Sequence, residues 1–163
     1  LKVLAGVSEP QENDFVNAQQ IEIIIKNIYD NFDYVVIDMP DRFKLFTIPA
    51  LNYARKLFLL VNPEISSVSY AKMALRNLGE FSFPGEKIRM VLNKQSLQAG
   101  IKAGDIEKTI SRNIDYVLKE DYKVTSTLNL GEPFVLKYPK HDNTRVFSKI
   151  ARDINTRSKN ETI

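Results

Sequence analysis

The sequence predicts an α/β protein built on a mostly parallel sheet with helices on both faces. Two observations carry that expectation. Short apolar runs, Tyr34-Val35-Val36-Ile37 and Leu57 to Val61 unbroken and Ile88 to Leu92 interrupted only by Arg89, read as strands of a parallel sheet. Between them lie segments whose apolar residues recur at helical spacing, and strands that alternate with helices close into a parallel sheet.

Taken in order, Leu1 to Gly6 reads as a strand, and residues 17 to 31 as a helix with Ile21, Ile24, Ile25 and Ile28 on one face. Asp33 to Asp38 is the next strand. Pro40 cannot donate to a ladder and stops it, so Asp38 is expected at a strand's carboxyl end. A loop through Asp41, Arg42 and Lys44 leads to a short helix near Thr47 to Ala54 and then to the strand Leu57 to Val61, ended by Pro63. Ser66 or Ser67 can cap the following helix, which carries Val68, Ala71, Leu75 and Leu78. Ile88 to Leu92 forms a strand that delivers Asn93. Residues 103 to 112 read as a helix, Ile114 to Leu118 as a short strand, and 122 to 130 as a helix stopped by Gly131 and Pro133. A last amphipathic helix starts near Asn143 and carries Val146, Phe147, Ile150, Ala151 and Ile154.

Composition bounds the function. A chain of 163 residues, 44% hydrophobic and 26% charged, is ordinary for one globular domain. Zero cysteines exclude disulfides, thiol catalysis and cysteine metal sites, and the single histidine, His141, excludes a histidine-rich zinc centre within one chain. No apolar run approaches the roughly 18 residues of a membrane span, and Leu1 to Gly6 is too short for a signal peptide. Without an initiator methionine, the chain is expected to be a segment of a longer protein. Residues 1 to 54 hold four basic and eight acidic side chains, so the net charge of +3 comes from the remainder. No dense basic block with interleaved aromatics appears there, so the lysines read as solvated helix surface and nucleic-acid binding is not expected.

Several chemically useful groups follow predicted strand ends. In parallel sheets the carboxyl edge is where ligands bind, so Asp38, Asn62, Asn93 and the Lys119-Glu120-Asp121 turn can line one crevice. A carboxylate such as Asp38 suits either a turn cap or a magnesium ion held directly or through water. Asn93 offers a donor and an acceptor to a base edge, or bonds its own turn.

The series Phe32-Asp33-Tyr34-Val35-Val36-Ile37-Asp38-Met39-Pro40, then Leu57 to Val61 with Asn62-Pro63-Glu64, then Val91-Leu92-Asn93-Lys94, then Asn129-Leu130-Gly131-Glu132-Pro133, resembles the MinD/ParA class of P-loop ATPases over nearly the whole chain. The Asp-hydrophobic-Pro form at Asp38 is most similar to the CpaE/TadZ branch, which is associated with localising Flp or Tad pilus machinery. The resemblance implies that residues 1 to 157 are the carboxyl-terminal part of one such ATPase domain, a partial P-loop NTPase fold, with 158 to 163 a polar tail. It implies ATP and Mg2+ as cofactors in the intact parent. Asp38 takes the Walker B position and supports the metal and hydrolysis, and Met39 to Phe46 form the second switch, with Asp41, Arg42 and Lys44 contacting a partner. Asn93 matches the base-contacting asparagine, and Lys119, Glu120 and Asp121 the loop that closes over the base. A nucleotide-dependent homodimer, protein partners in a pilus or secretion machine, and a cytoplasmic protein recruited by a partner to the membrane or cell pole are the further implications. The residues after Ile154 lack the apolar face of a lipid-binding helix, so direct membrane insertion is not expected.

The departures are specific. None of the six glycines belongs to a Gly-x-x-x-x-Gly-Lys-Ser/Thr pattern, so the phosphate loop is expected before residue 1 and no turnover is expected from this segment alone. Gly100 and Gly104, the nearest pair, follow the wrong strand. Arg55 stands where the family commonly has aspartate, and Lys119 where it commonly has proline. A non-hydrolysing adaptor that keeps the ATPase fold is the alternative reading. Asp38-Met39-Pro40 also superficially resembles response-regulator receivers, but Leu1 to Gly6 supplies no acidic pair for one.

Overall fold

The computed structural model describes residues 2–4, 17–39 and 47–155, and the chain divides into two compact units, Leu1–Arg55 and Lys56–Ile163. In the first unit, α1 spans Ala18–Asn31 and α2 spans Thr47–Tyr53. The start of α1 is fixed by a capping box: the Asn17 side chain accepts from the Gln20 amide at 2.9 Å, and the Gln20 side chain accepts from the Asn17 amide at 2.9 Å. Of the predicted apolar face, Ile25 is buried, Ile21 and Ile28 are half-buried, and Ile24 is exposed. The helices pack on each other through Tyr29 and Tyr53, whose ring centroids lie 5.9 Å apart. Asn17→Ala is expected to cost about 1 kcal/mol of helix stability, read as faster hydrogen exchange at the Gln20 and Ile21 amides.

Two predicted strands of this unit are not formed among the described residues. Residues 34–39 carry no regular secondary structure, and Val36 is 88% exposed. Lys2–Leu4, the described part of the predicted first strand, likewise forms no strand and is exposed. An apolar run specifies a preference for burial between neighbours, but a strand exists only where a neighbouring ladder forms. Asp38 therefore stands at the end of an exposed segment without regular structure, and not at the end of a buried strand. Asp41, Arg42 and Lys44 lie outside the described residues, as does the tail from 158 to 163.

The second unit keeps the predicted alternation. Its elements are β1 (Leu57–Val61), α3 (Ile65–Glu80), β2 (Ile88–Gln95), α4 (Ala103–Ile110), β3 (Tyr116–Lys119), α5 (Tyr122–Asn129), α6 (Phe134–Lys137) and α7 (Asp142–Asn155). The strands form one parallel sheet in the order β1-β2-β3, with Val61 opposite Leu92 and Val91 opposite Tyr116. Parallel neighbours need crossovers, which α3 and α4 supply; these two helices pack on each other. Val61, Leu78, Met90, Leu92 and Ile106 form the core and are almost wholly buried.

The boundaries differ where side chains intervene. Glu64, not Ser66 or Ser67, precedes α3, because the Ser67 hydroxyl accepts from the Asn62 amide at 2.8 Å and ties the β1 end to the helix. Helix α4 stops at Ile110, short of the predicted 112, because Ser111 adopts the left-handed conformation with φ 54°. Strand β3 begins at Tyr116 and not Ile114, whose amide donates to Glu107 Oε1 at 2.8 Å.

Helix α7 is tied to the amino-terminal edge of the sheet by Asp153. Its carboxylate accepts from Lys56 Nζ and, at 3.1 Å, from Arg89 Nε. Burial pushes the Asp153 carboxyl up, but hydrogen bonds from Lys56 and Tyr116 and the charges of Lys56 and Arg89 outweigh it and hold it below its ordinary value of 3.8. A carboxyl depressed on folding contributes stability above its unfolded value and loses it as pH falls through the lowered one. Thermal unfolding of the wild type and Asp153→Asn from about pH 6 to about pH 2 is therefore expected to show a gap at the higher pH that closes in acid.

Candidate functional site

The carboxyl edge of the sheet is the place where this fold gathers polar groups. Val61 lies opposite Leu92 and Gln95 opposite Lys119, so Asn62 follows the end of β1, Asn93 lies two residues before the end of β2, and the Lys119-Glu120-Asp121 turn begins with the last residue of β3. Strand β2 runs past the predicted end at Leu92 to Gln95, but its pairing with β3 shifts between Leu92 and Gln95. Lys94 in that shift has φ 54°, a left-handed conformation that costs a non-glycine residue about 1 kcal/mol or more. Strain of this kind collects at functional sites, where surrounding structure holds it in place. The Glu120 amide closes the gap by donating to Gln95 O at 2.9 Å.

The predicted base-side residues divide into two sets. The side chains of Asn62, Asn93 and Glu120 make no hydrogen bond among the described residues. Lys119 and Asp121 are engaged. Lys119 Nζ donates to Asp142 Oδ2 at 2.9 Å, an exposed pair. Asp121 caps α5, its Oδ1 accepting from the Lys123 amide at 2.9 Å, while its Oδ2 lies 2.9 Å from His141 Nε2. The Lys123 amide is the largest influence on the Asp121 carboxyl and, with His141, holds it below the usual carboxylate range.

Sequence reasoning missed the residues that hold this turn. Asn143 is 2% exposed; its Oδ1 accepts from the Lys119 amide at 2.9 Å and its Nδ2 donates to Lys119 O at 2.8 Å. Its own amide donates to His141 Nδ1 at 3.1 Å. Because Nδ1 accepts, the ring proton belongs on Nε2, which donates to Asp121. The available signal was the only histidine of the chain, followed at once by Asp142 and Asn143 at the start of an amphipathic helix.

Asp38 lies in the other unit, exposed, and its carboxylate makes no hydrogen bond among the described residues. Those residues hold no group of three or more metal-binding side chains. Magnesium takes one or two protein carboxylates, with water and phosphate oxygens filling its octahedron, so a lone Asp38 fits as one member of such a shell.

No protein-family model matches the chain. Among curated proteins it is 25% identical over 155 residues to the septum site-determining protein MinD of Synechocystis, covering 92% of this chain and 58% of that protein. It is 31% identical over 136 residues to an uncharacterized ATP-binding protein of Methanocaldococcus jannaschii, covering 82% of this chain and 50% of that one. The chain thus spans a little over half the length of the relatives it matches. Among solved structures, a ParA family ATPase from Chlorobium tepidum superposes with a TM-score of 0.81 at 20% identity, over 90% of this chain and 62% of that one. The MinD of Pyrococcus horikoshii, solved with Mg-ADP, gives 0.75 at 20% identity, over 93% and 62%. The chain has the α/β fold of these ATPases, and its sequence relatives support placing it in the MinD/ParA-like P-loop ATPase family.

Proposed function

We propose that the chain is the base-side and partner-binding part of a MinD/ParA-like ATPase that positions a cellular machine. One observation carries the reading: Asn93, near the carboxyl end of β2, and Glu120, just past the end of the neighbouring β3, have side chains that bond no described residue, and the turn holding Glu120 is anchored by Asn143. In this reading the base of ATP lies along that edge, with Asn93 presenting both a donor and an acceptor. Asp38 joins the shell of the Mg2+ carried by the phosphates, and the loop with Asp41, Arg42 and Lys44 reports phosphate occupancy to a partner or a second copy. The ion neutralises charge developing on the phosphates. The phosphates themselves are held by a loop supplied by the rest of the intact gene product, since no phosphate-loop pattern occurs in this chain. The curated relatives named for septum-site determination favour division-site placement as the task. The Asp38-Met39-Pro40 form favours pilus assembly, and localisation of a tagged protein decides between them. No described helix is long and apolar enough to cross a membrane. In this reading a partner recruits the protein to a membrane or pole.

Calorimetric titration of the intact gene product and of residues 1–163 with Mg-ATP tests the division of labour. The intact protein is expected to bind and turn over, and the segment alone to bind weakly without turnover. Tight binding by the segment, unaffected by chelation or by Asp38→Ala, would contradict it. An intact protein that neither binds nor hydrolyses ATP but still localises establishes the adaptor.

A further inference from the structure

We infer that His141 and Asn143 are positioning residues for the base-side turn, holding Lys119-Glu120-Asp121 in one conformation; this rests on the reading of that turn as bordering the nucleotide base. Asn143 pairs with both main-chain groups of Lys119 through a single buried amide, as a further strand would. His141 completes the hold by bridging the Asn143 amide and the Asp121 carboxylate. Phe134 meets the imidazole ring edge-on, with centroids 5.1 Å apart, and the His141 amide donates to Tyr138 O at 3.1 Å. The turn, the end of α6 and the start of α7 are thereby joined through a chain of satisfied polar groups. Each link removed leaves a partly or wholly buried donor or acceptor without a partner, which the folded state resists. Glu120, between two anchored residues, is presented with little conformational freedom left to lose when a ligand binds.

The chemistry assigns a distinct role to each residue. Asn143 holds the outer edge of β3 at Lys119, because it occupies the Lys119 amide and carbonyl while the Glu120 amide bonds Gln95 of β2. His141 sets the direction of the Asp121 carboxylate, whose other oxygen starts α5. Neither side chain is placed against the ligand, so both act through the turn.

The test compares wild type, His141→Ala and His141→Gln in the intact gene product by two readouts. Hydrogen exchange at the Lys119 and Glu120 amides without nucleotide reads the hold itself. Titration with ADP and with inorganic tripolyphosphate separates base-side from phosphate-side binding. His141→Ala is expected to speed exchange and weaken ADP by about tenfold while leaving tripolyphosphate affinity unchanged. His141→Gln, which retains a donor for Asp121, is expected to recover part of both effects. Unchanged exchange in His141→Ala would overturn the hold. Faster exchange with unchanged ADP affinity would make it structural only and overturn the positioning role. A wild type that binds tripolyphosphate but gains nothing from the base would bring down the nucleotide-edge reading, and the positioning role with it, even where exchange shows the hold intact.

Discussion

Leu92→Ala is expected to lower the stability of the folded protein by about 2 to 5 kcal/mol. Leu92 is 0% exposed, lies on the central strand of the three-stranded sheet, and pairs with Val61 on one side and Val117 on the other. Truncation removes its transfer free energy and leaves a void that ladders on both sides prevent from collapsing. The loss is a large fraction of the stability of an ordinary domain. The void lies one residue before Asn93, so the candidate edge should loosen with the core. Chemical denaturation is expected to show a lower midpoint for Leu92→Ala, and a much smaller change for Leu97→Ala, whose side chain is wholly exposed.

Asp38→Ala is expected to have the opposite profile in the intact gene product. Asp38 is exposed and bonds no described residue, so unfolding should be unchanged. Magnesium-dependent ATP hydrolysis should fall by on the order of a hundredfold or more, the usual effect of removing a group that stabilises charge developing in the transition state. Steady-state phosphate release at saturating Mg-ATP measures it. Full retention of hydrolysis would remove Asp38 from the metal shell. Substitutions at Asp41, Arg42 and Lys44 are expected to spare hydrolysis by comparison and to weaken dimerisation or partner contact, read by light scattering and by localisation.

The sheet of the second unit was legible because its determinants are local. Leu57 to Val61 is an apolar run closed by a proline, and β1 occupies those residues as expected. The buried positions of α3, Val68, Ala71 and Leu78, follow the helical spacing visible in the sequence. In the parallel sheet, Asn93 lies near the carboxyl end of β2 and the 119–121 turn at the end of the neighbouring β3. What could not be read depends on distant pairing. Tyr34 to Ile37 has the composition of a buried strand, yet composition does not say whether a ladder forms beside it. Asn143 looks like any helix-start asparagine; its grip on Lys119 exists only because the α7 start folds back onto β3 across 24 residues. For the same reason Asp121, which reads as a ligand contact, is largely occupied in capping α5 and meeting His141.

The central claim is that the carboxyl edge of this sheet receives the base of an adenine nucleotide. A crystal structure of the intact gene product with Mg-ADP tests it most directly. The account predicts the base within hydrogen-bond distance of the Asn93 side chain and beside Glu120, with the 119–121 turn unmoved from the conformation held by Asn143. A base bound instead at the opposite edge, near Arg89 and Asp153, would contradict it.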